Sequence, residues 1–227
     1  MKKGNIEKKG VKDIVQAAGR MSRKNLEEKI VIDVTGALAN CTRPEFRAEG
    51  TTYDVITYAC AKALVEATYW HPQFEYIIEE IHVINPIKKI TIKTNGINKK
   101  QSYTAKSVSI DSSSSKNRVQ KNFQYLKDVR YIITAHIRIK KIDVDEYNDL
   151  RKYYGIYTRR LAQGQYHKKA YLGLRECVAD VRPVTEIPKS NIEDINFGFM
   201  HKELDYAKKG KPSIVCEYKM VDGVIKF

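Results

Sequence analysis

The sequence lacks most features of secreted, membrane-bound or metal-dependent proteins. Its four cysteines lie far apart without CxxC spacing, so no zinc site is predicted and a reduced, cytoplasmic chain is expected. No apolar run approaches the roughly 18 residues that cross a bilayer, and the charged N-terminus is not expected to be a secretory signal. HExxH, P-loop and GxGxxG motifs are missing, so we expect neither a metal nor a cofactor.

Acidic residues are scarce relative to basic ones. The chain of 227 residues has 41 Lys and Arg against 27 Asp and Glu, which gives a net charge of +14. Such an excess favours a polyanionic partner, because Lys and Arg that neutralise phosphates release condensed counterions. A basic surface kept for solubility is the alternative. The hydrophobic content of 42% predicts a globular chain.

Hydrophobic periodicity predicts alternating strands and helices. Thr57 is a plausible N-cap, and His71-Pro72 is expected to end the helix that follows it. Gly164 suits the position after a second helix, and Asp222-Gly223 suits a hairpin turn. The predicted elements are a strand at 29–40, a helix at 57–69, one or two strands at 74–87, a strand at 125–140, a helix at 145–164 and a hairpin at 214–227.

This element order indicates an α+β protein. It is compatible with a ferredoxin-like (RRM-like) module followed by a small antiparallel β-sheet domain. We predict a basic N-terminal extension at 1–28, a ferredoxin-like domain at 29–165 and a β-rich domain at 166–227. Within the first domain, the serine- and lysine-rich segment 93–122 is predicted to be a mobile basic loop.

Tyrosine is abundant, and much of it is interleaved with basic residues. The chain has 15 tyrosines, and residues 151–169 contain RKYYGIYTRR and GQYHKKA. Aromatic rings stack on unpaired bases while Lys and Arg hold phosphates, which is typical of single-stranded RNA binding. Tyrosines that pack in a core with an exposed hydroxyl are an equal alternative for this cluster.

Four segments together resemble a known family. They are TRPEFRAEGTTYDV through IHVINPI (Thr42 to Ile87), LKDVRYIITAHI (Leu126 to Ile137), YTRRLAQGQYHKKAYLGLREC (Tyr157 to Cys177) and the tail MVDGVIKF. The combination covers most of residues 30–227 and resembles the CRISPR-associated RAMP proteins of the fifth Cas class, subtype I-C (Dvulg type). The resemblance implies a ferredoxin-like RAMP domain and a β-sheet domain. It also implies cleavage of the CRISPR repeat RNA and retention of the 5′ handle of the guide RNA.

The same resemblance implies partners and catalytic residues. The partners are the backbone and large subunits of a Cascade-type surveillance complex, with no membrane association. The family's catalytic tyrosine matches Tyr69, and its lysine matches Lys152. The family histidine is replaced by Tyr153, and His167 is a possible substitute. The predicted RNA-binding residues are Arg43, Arg151, Arg159, Arg160, Gln165, Lys168 and Arg175.

RNA carries its own nucleophile, the 2′-hydroxyl, so the predicted reaction requires no metal. We expect Tyr69 or His167 to handle the proton and Lys152 to stabilise charge on the phosphate. The unperturbed pKa of tyrosine is about 10, so Tyr69 is a poor base at neutral pH unless cationic neighbours lower its pKa. Two alternatives remain open. One is a non-catalytic subunit that caps the 5′ handle, and the other is a general RNA-binding accessory protein.

Overall fold

The computed structural model describes residues 29–46, 49–97, 102–104, 118–140 and 146–227, with backbone only at 146–149. The predicted extension 1–28 lies outside these residues. Two helices occur in the described part, α1 (Tyr58–Thr68) and α2 (Glu146–Ala162). The strands are β1 (Ile30–Ala39), β2 (Phe74–Val83), β3 (Lys89–Ile97), β4 (Arg118–Ile139), β5 (Asp180–Pro183), β6 (Ile195–Leu204), β7 (Ser213–Val221) and β8 (Val224–Lys226).

The eight strands form one sheet in the order β5-β1-β4-β2-β8-β7-β6, and β3 pairs with β4. All pairs between these strands are antiparallel. The 22-residue β4 is the longest of them: its first half pairs with β3, and its second half lies between β1 and β2. The predicted α+β class with an antiparallel sheet is therefore confirmed. Residues after 165 flank the central strands on both sides, since β5 pairs with β1 and β8 pairs with β2.

Helix α1 begins and ends where local signals predict. The Thr57 hydroxyl accepts a hydrogen bond from the backbone N–H of Cys60 at 3.3 Å, which satisfies one of the free N–H groups of the first turn. The helix buries Ala61, Leu64 and Val65 in the core. Its backbone becomes extended at Tyr69, with φ −152° and ψ 131°. The short turn that follows carries the chain into β2.

The segment 93–122 differs from the predicted loop. Residues 93–97 belong to β3 and residues 118–122 to β4, and the two strands pair from Lys89 opposite Leu126 to Ile97 opposite Arg118. Residues 102–104 form part of a turn, and most of the remainder lies outside the described residues. The predicted loop was therefore too wide at both ends. A hairpin with both faces largely exposed needs few apolar residues, so its composition is like that of a loop.

Two turn predictions are confirmed in the second half of the chain. Gly164 follows α2 with φ 64°, the left-handed conformation that ends many helices. Asp222 and Gly223 have φ 51° and 75° and join β7 to β8 in a tight hairpin. Across the described residues, no helix has the length and apolarity needed to cross a membrane. The same part of the chain holds no group of three or more His, Cys, Asp or Glu arranged to bind a metal ion.

Candidate active site

Aromatic side chains from three elements meet where α1 ends. Tyr69 caps the helix, Phe74 begins β2, and Tyr153 comes from α2. The Tyr69 ring centroid lies 5.7 Å from that of Phe74 and 6.4 Å from that of Tyr153, and the Phe74 and Tyr153 centroids are 4.8 Å apart. The position of Tyr69 is fixed further because its carbonyl oxygen accepts a 2.6 Å hydrogen bond from the Tyr76 hydroxyl. We call Tyr69, Phe74 and Tyr153 the aromatic cluster.

Two cations flank the aromatic cluster. The guanidinium carbon of Arg160 lies 5.6 Å from the centroid of the Tyr69 ring, and Nζ of Lys152 lies 5.9 Å from that of Tyr153. Both are in cation–π range. Nε of Arg160 is buried and has no hydrogen-bond partner among the described residues. Lys152 is exposed, so its ammonium group is available to a ligand. The predicted residues Tyr69, Lys152, Tyr153 and Arg160 are therefore neighbours in the structure.

Tyr153 stands where the resemblance implies a histidine, and it is buried. Its exposed fraction is 4%, and its hydroxyl donates a hydrogen bond to Oε1 of Gln73 in the turn between α1 and β2. A phenol so placed packs α2 against the turn.

His71, which was predicted only to help end α1, lies against the Tyr153 ring. The His71 ring centroid is 5.6 Å from that of Tyr153 and 6.1 Å from that of Phe74. Nδ1 of His71 accepts a long hydrogen bond, 3.4 Å, from the backbone N–H of Gln73. The only signal in the sequence was that His71 follows Tyr69 by two residues, because its contact with Tyr153 depends on how α2 docks.

His167 lies beside the same turn. Its backbone N–H donates to the carbonyl oxygens of Ala67 and Thr68, at 2.8 and 3.2 Å, and so satisfies acceptors at the end of α1. The exposed His167 ring stacks on Trp70, with centroids 6.4 Å apart and planes at 25°. The Trp70 side chain is itself 47% exposed. The consecutive residues 69–71 thus connect His167 to the aromatic cluster.

The pKa of Tyr69 is raised above its ordinary value. Burial is the main cause, and the proximity of Tyr153 adds to the effect. Arg160 acts in the opposite direction but does not reverse the shift. The condition under which Tyr69 would serve as a base, a pKa lowered by cationic neighbours, is therefore not met. The neutral hydroxyl remains a hydrogen-bond donor.

The remaining predicted RNA-binding residues lie in three places. Lys168 and Arg175 line a cavity of about 730 Å³ between α1, the end of β1 and His201 of β6. Arg43 packs over the Tyr53 ring at 5.0 Å, and its Nε is buried without a partner among the described residues. The other three lie on or just after α2 and are exposed: Arg151, Arg159 and Gln165.

Comparison with known proteins shows to which family the chain is related. The model of the family described as CRISPR-associated protein (Cas_Cas5), in its Cas5d form, matches residues 29–215. The protein named CRISPR pre-crRNA endoribonuclease Cas5d of Mannheimia succiniciproducens is 28% identical over 203 residues, which cover 82% of this chain and 89% of that one. The protein of the same name from Thermus thermophilus is 30% identical over 188 residues, covering 82% and 78%.

Two solved structures share the fold. One, described as a CRISPR-associated protein, has a TM-score of 0.64 and 24% identity, over 88% of this chain and 91% of the other. The second is a functionally uncharacterized protein of Streptococcus mutans, SMU1763c, with a TM-score of 0.61, 22% identity and the same coverage. The family match extends over far more than half of the chain. The chain therefore belongs to the CRISPR-associated Cas5 family, in its subtype I-C (Cas5d) branch.

Proposed function

We propose that this protein is an endoribonuclease that cuts the CRISPR repeat transcript and keeps the 5′ handle of the product. The names of its relatives, pre-crRNA endoribonucleases, support the substrate and the reaction. The observation that carries the proposal is the placement of Arg160 and Lys152 on either side of the Tyr69–Tyr153 pair. Two cations at one surface suit a phosphodiester, whose charge increases in the transition state.

The proposed reaction uses the 2′-hydroxyl of the RNA and no metal ion. His167 removes the proton from the 2′-oxygen, which attacks phosphorus while the bond from phosphorus to the 5′-oxygen breaks. The products are a 2′,3′-cyclic phosphate and a 5′-hydroxyl, which takes its proton from water. Lys152 and Arg160 stabilise the phosphorane, and the neutral Tyr69 hydroxyl donates a hydrogen bond to it. Tyr153 acts as a positioning residue, since its ring contacts the other members of the site.

Fold and partners are part of the same proposal. The order β5-β1-β4-β2, with α1 between β1 and β2 and α2 between β4 and β5, supports a ferredoxin-like RAMP domain. Strands β6, β7 and β8 support a β-rich unit within 166–227. We assign the backbone and large subunits of a Cascade-type complex as partners because of the family. The four unpaired cysteines support a cytoplasmic location.

RNA is proposed to extend from the cleavage site over the segment that follows α2. Lys168 comes directly after His167 and lines the cavity together with Arg175, so both are adjacent to the proposed path. Arg43, Arg151, Arg159 and Gln165 are assigned to further contacts with the RNA backbone. A cavity of about 730 Å³ is large enough for an unpaired nucleotide, because small-ligand pockets span about 300–1,000 Å³.

A second function is favoured by one observation. Tyr153 is buried and its hydroxyl is hydrogen-bonded to Gln73, so the position at which the resemblance implies a histidine offers no imidazole. This arrangement favours a non-catalytic subunit that binds the 5′ handle and leaves cleavage to another protein. A general RNA-binding accessory protein would show no preference for the repeat sequence.

One experiment separates these functions. Purified protein is incubated in EDTA with a labelled repeat RNA hairpin and, as a control, with the same RNA carrying a single 2′-deoxy substitution at the cut site. We expect one cut that is absent in the control, together with a cyclic phosphate end. Tight, repeat-specific binding without a cut, with or without divalent metal, would establish the capping function. Equal affinity for an unrelated RNA would eliminate both.

A further inference from the structure

We propose that His71 is an additional catalytic residue, whose Nε2–H donates a hydrogen bond to a non-bridging oxygen of the scissile phosphate. The assignment rests on the proposed function and adds one residue to it. His71 lies in the turn before β2, whereas Lys152 and Tyr153 lie on α2. Its role is that of a neutral hydrogen-bond donor rather than a base. It would supply, from the turn before β2, a phosphate contact that Tyr153 on α2 cannot supply.

The position of His71 is the first support. Its ring lies 5.6 Å from Tyr153, centroid to centroid, and Nζ of Lys152 lies 5.9 Å from the same ring. An imidazole from the turn is therefore held beside the side chain that replaced the family histidine. The His71 side chain is half-buried, so a ligand at the surface can reach it.

The tautomer is the second support. Nδ1 of His71 accepts the backbone N–H of Gln73, so the neutral imidazole carries its proton on Nε2. A neutral Nε2–H is a hydrogen-bond donor and not an acceptor. In this tautomer Nε2–H is free to donate to a phosphate oxygen, and the proton of the 2′-hydroxyl is assigned to His167.

Comparison with the other histidines is the third support. His82 pairs with Glu80 at 3.2 Å, and His136 pairs with Glu79 at 2.8 Å. His201 shares a 2.6 Å hydrogen bond with Ser213, far from the aromatic cluster along the chain. Among the described contacts of His71, none is with a carboxylate. An anionic partner would compete with a phosphate, so its absence from the described contacts suits a phosphate-binding role.

Two substitutions separate hydrogen bonding from packing. His71→Gln keeps an N–H donor, whereas His71→Phe keeps the ring that packs on Tyr153 and Phe74. For a phosphate donor we expect His71→Gln to cleave within about tenfold of the wild-type rate and His71→Phe to lose about 100-fold. Single-turnover rates at saturating protein measure this, and thermal unfolding checks that both variants fold. His82→Gln is the matched control and is expected to cleave at the wild-type rate.

The opposite pattern would overturn the inference. If His71→Phe cleaves faster than His71→Gln, the histidine acts only by packing. Equal rates in the two variants also exclude the donor role. A 5′-thio substrate, whose leaving group needs no proton, gives a second measurement. We expect the defect of His71→Phe to persist on it, and a rescue would show that His71 is instead a general acid. Failure of the wild-type protein to cut any repeat RNA would refute the proposed function itself.

Discussion

The hydroxyl of Tyr153 donates a hydrogen bond to Oε1 of Gln73 and joins α2 to the turn before β2. Tyr153→Phe removes this bond but keeps the ring, so we expect a loss of about 1 kcal/mol in the free energy of unfolding. Tyr153→Ala also removes the buried ring and is expected to cost about 3–5 kcal/mol. Chemical denaturation of the two variants measures both values. Equal costs would mean that the ring contributes nothing to packing.

Lys152 is expected to stabilise the transition state more than it stabilises bound RNA. Lys152→Ala should lower the single-turnover cleavage rate about 100-fold, since a preorganised charge at the phosphate is lost. Lys152→Arg keeps the charge and should recover most of the rate. Lys209→Ala removes an exposed charge at the turn between β6 and β7 and serves as the control. A rate for Lys152→Ala equal to that of the control would exclude the assigned role.

Trp70 offers an exposed ring next to the proposed cleavage site. A base that stacks on this ring would contribute about 1–3 kcal/mol, so Trp70→Ala should weaken binding of repeat RNA at least fivefold. Tyr206→Ala removes another exposed aromatic ring, 72% accessible, on the β6–β7 turn. Fluorescence titration of both variants with labelled RNA measures the difference. Affinities that match would place the RNA away from residues 69–71.

Gly173, within the YLG sequence of the third matching segment, cannot carry a side chain. Its φ is 90°, and an added Cβ would lie 1.9 Å from the carbonyl oxygen of Asn40. Gly173→Ala is therefore expected to destabilise the protein by more than about 2 kcal/mol, through strain and displacement of β1 from the segment that contacts it. Gly155→Ala is the control: it lies in α2 with open space around it, and should stabilise by about 0.5–1 kcal/mol. Thermal unfolding compares them, and a Gly173→Ala variant as stable as the wild type would contradict the geometry.

Glu79 makes the free energy of unfolding depend on pH in the acidic range. The hydrogen bond from Lys29 lowers the pKa of Glu79, and His136 adds to the effect. A carboxyl pKa that is lower in the folded than in the unfolded state stabilises the fold above the unfolded value, about 4.3. The contribution is lost as the pH falls through the folded-state pKa. Glu79→Gln should thus be less stable than the wild type at pH 7, by a margin that shrinks below about pH 4. A margin that stays constant from pH 7 to pH 3 would show that the ion pair is not its source.

Local signals in the sequence predicted the helix ends and the tight turns. Thr57 acts through its side-chain hydroxyl, and Gly164 and Asp222-Gly223 act through their backbone conformation; all three effects are local. Strand β3 was missed because its hairpin is largely exposed and adjoins a serine- and lysine-rich segment of similar composition. A strand without a buried face lacks the apolar alternation on which its prediction depends.

The candidate site was only partly predictable. Family motifs identified Tyr69 and Lys152, and the structure places both near Tyr153. His71 was missed as a site residue, because its contact with Tyr153 arises only when α2 packs against the turn after α1. The direction of the pKa shift of Tyr69 could not be predicted from the sequence either. Burial raises this pKa and Arg160 lowers it, so the outcome depends on how deeply Tyr69 is buried and how close Arg160 lies.

The central position of β4 has a consequence for synthesis of the chain. Strand β1 pairs with β4 from Ile30 opposite Ala135 to Ala39 opposite Leu126, so the ribosome must add roughly 100 residues before β1 meets this partner. At about 5–20 residues per second, that interval lasts roughly 5 to 20 s. During this time the apolar residues of β1 and its unpaired edge can associate with other nascent chains. Strand β1 therefore stays without this partner until β4 has left the exit tunnel, and any pause in translation before that point lengthens its exposure.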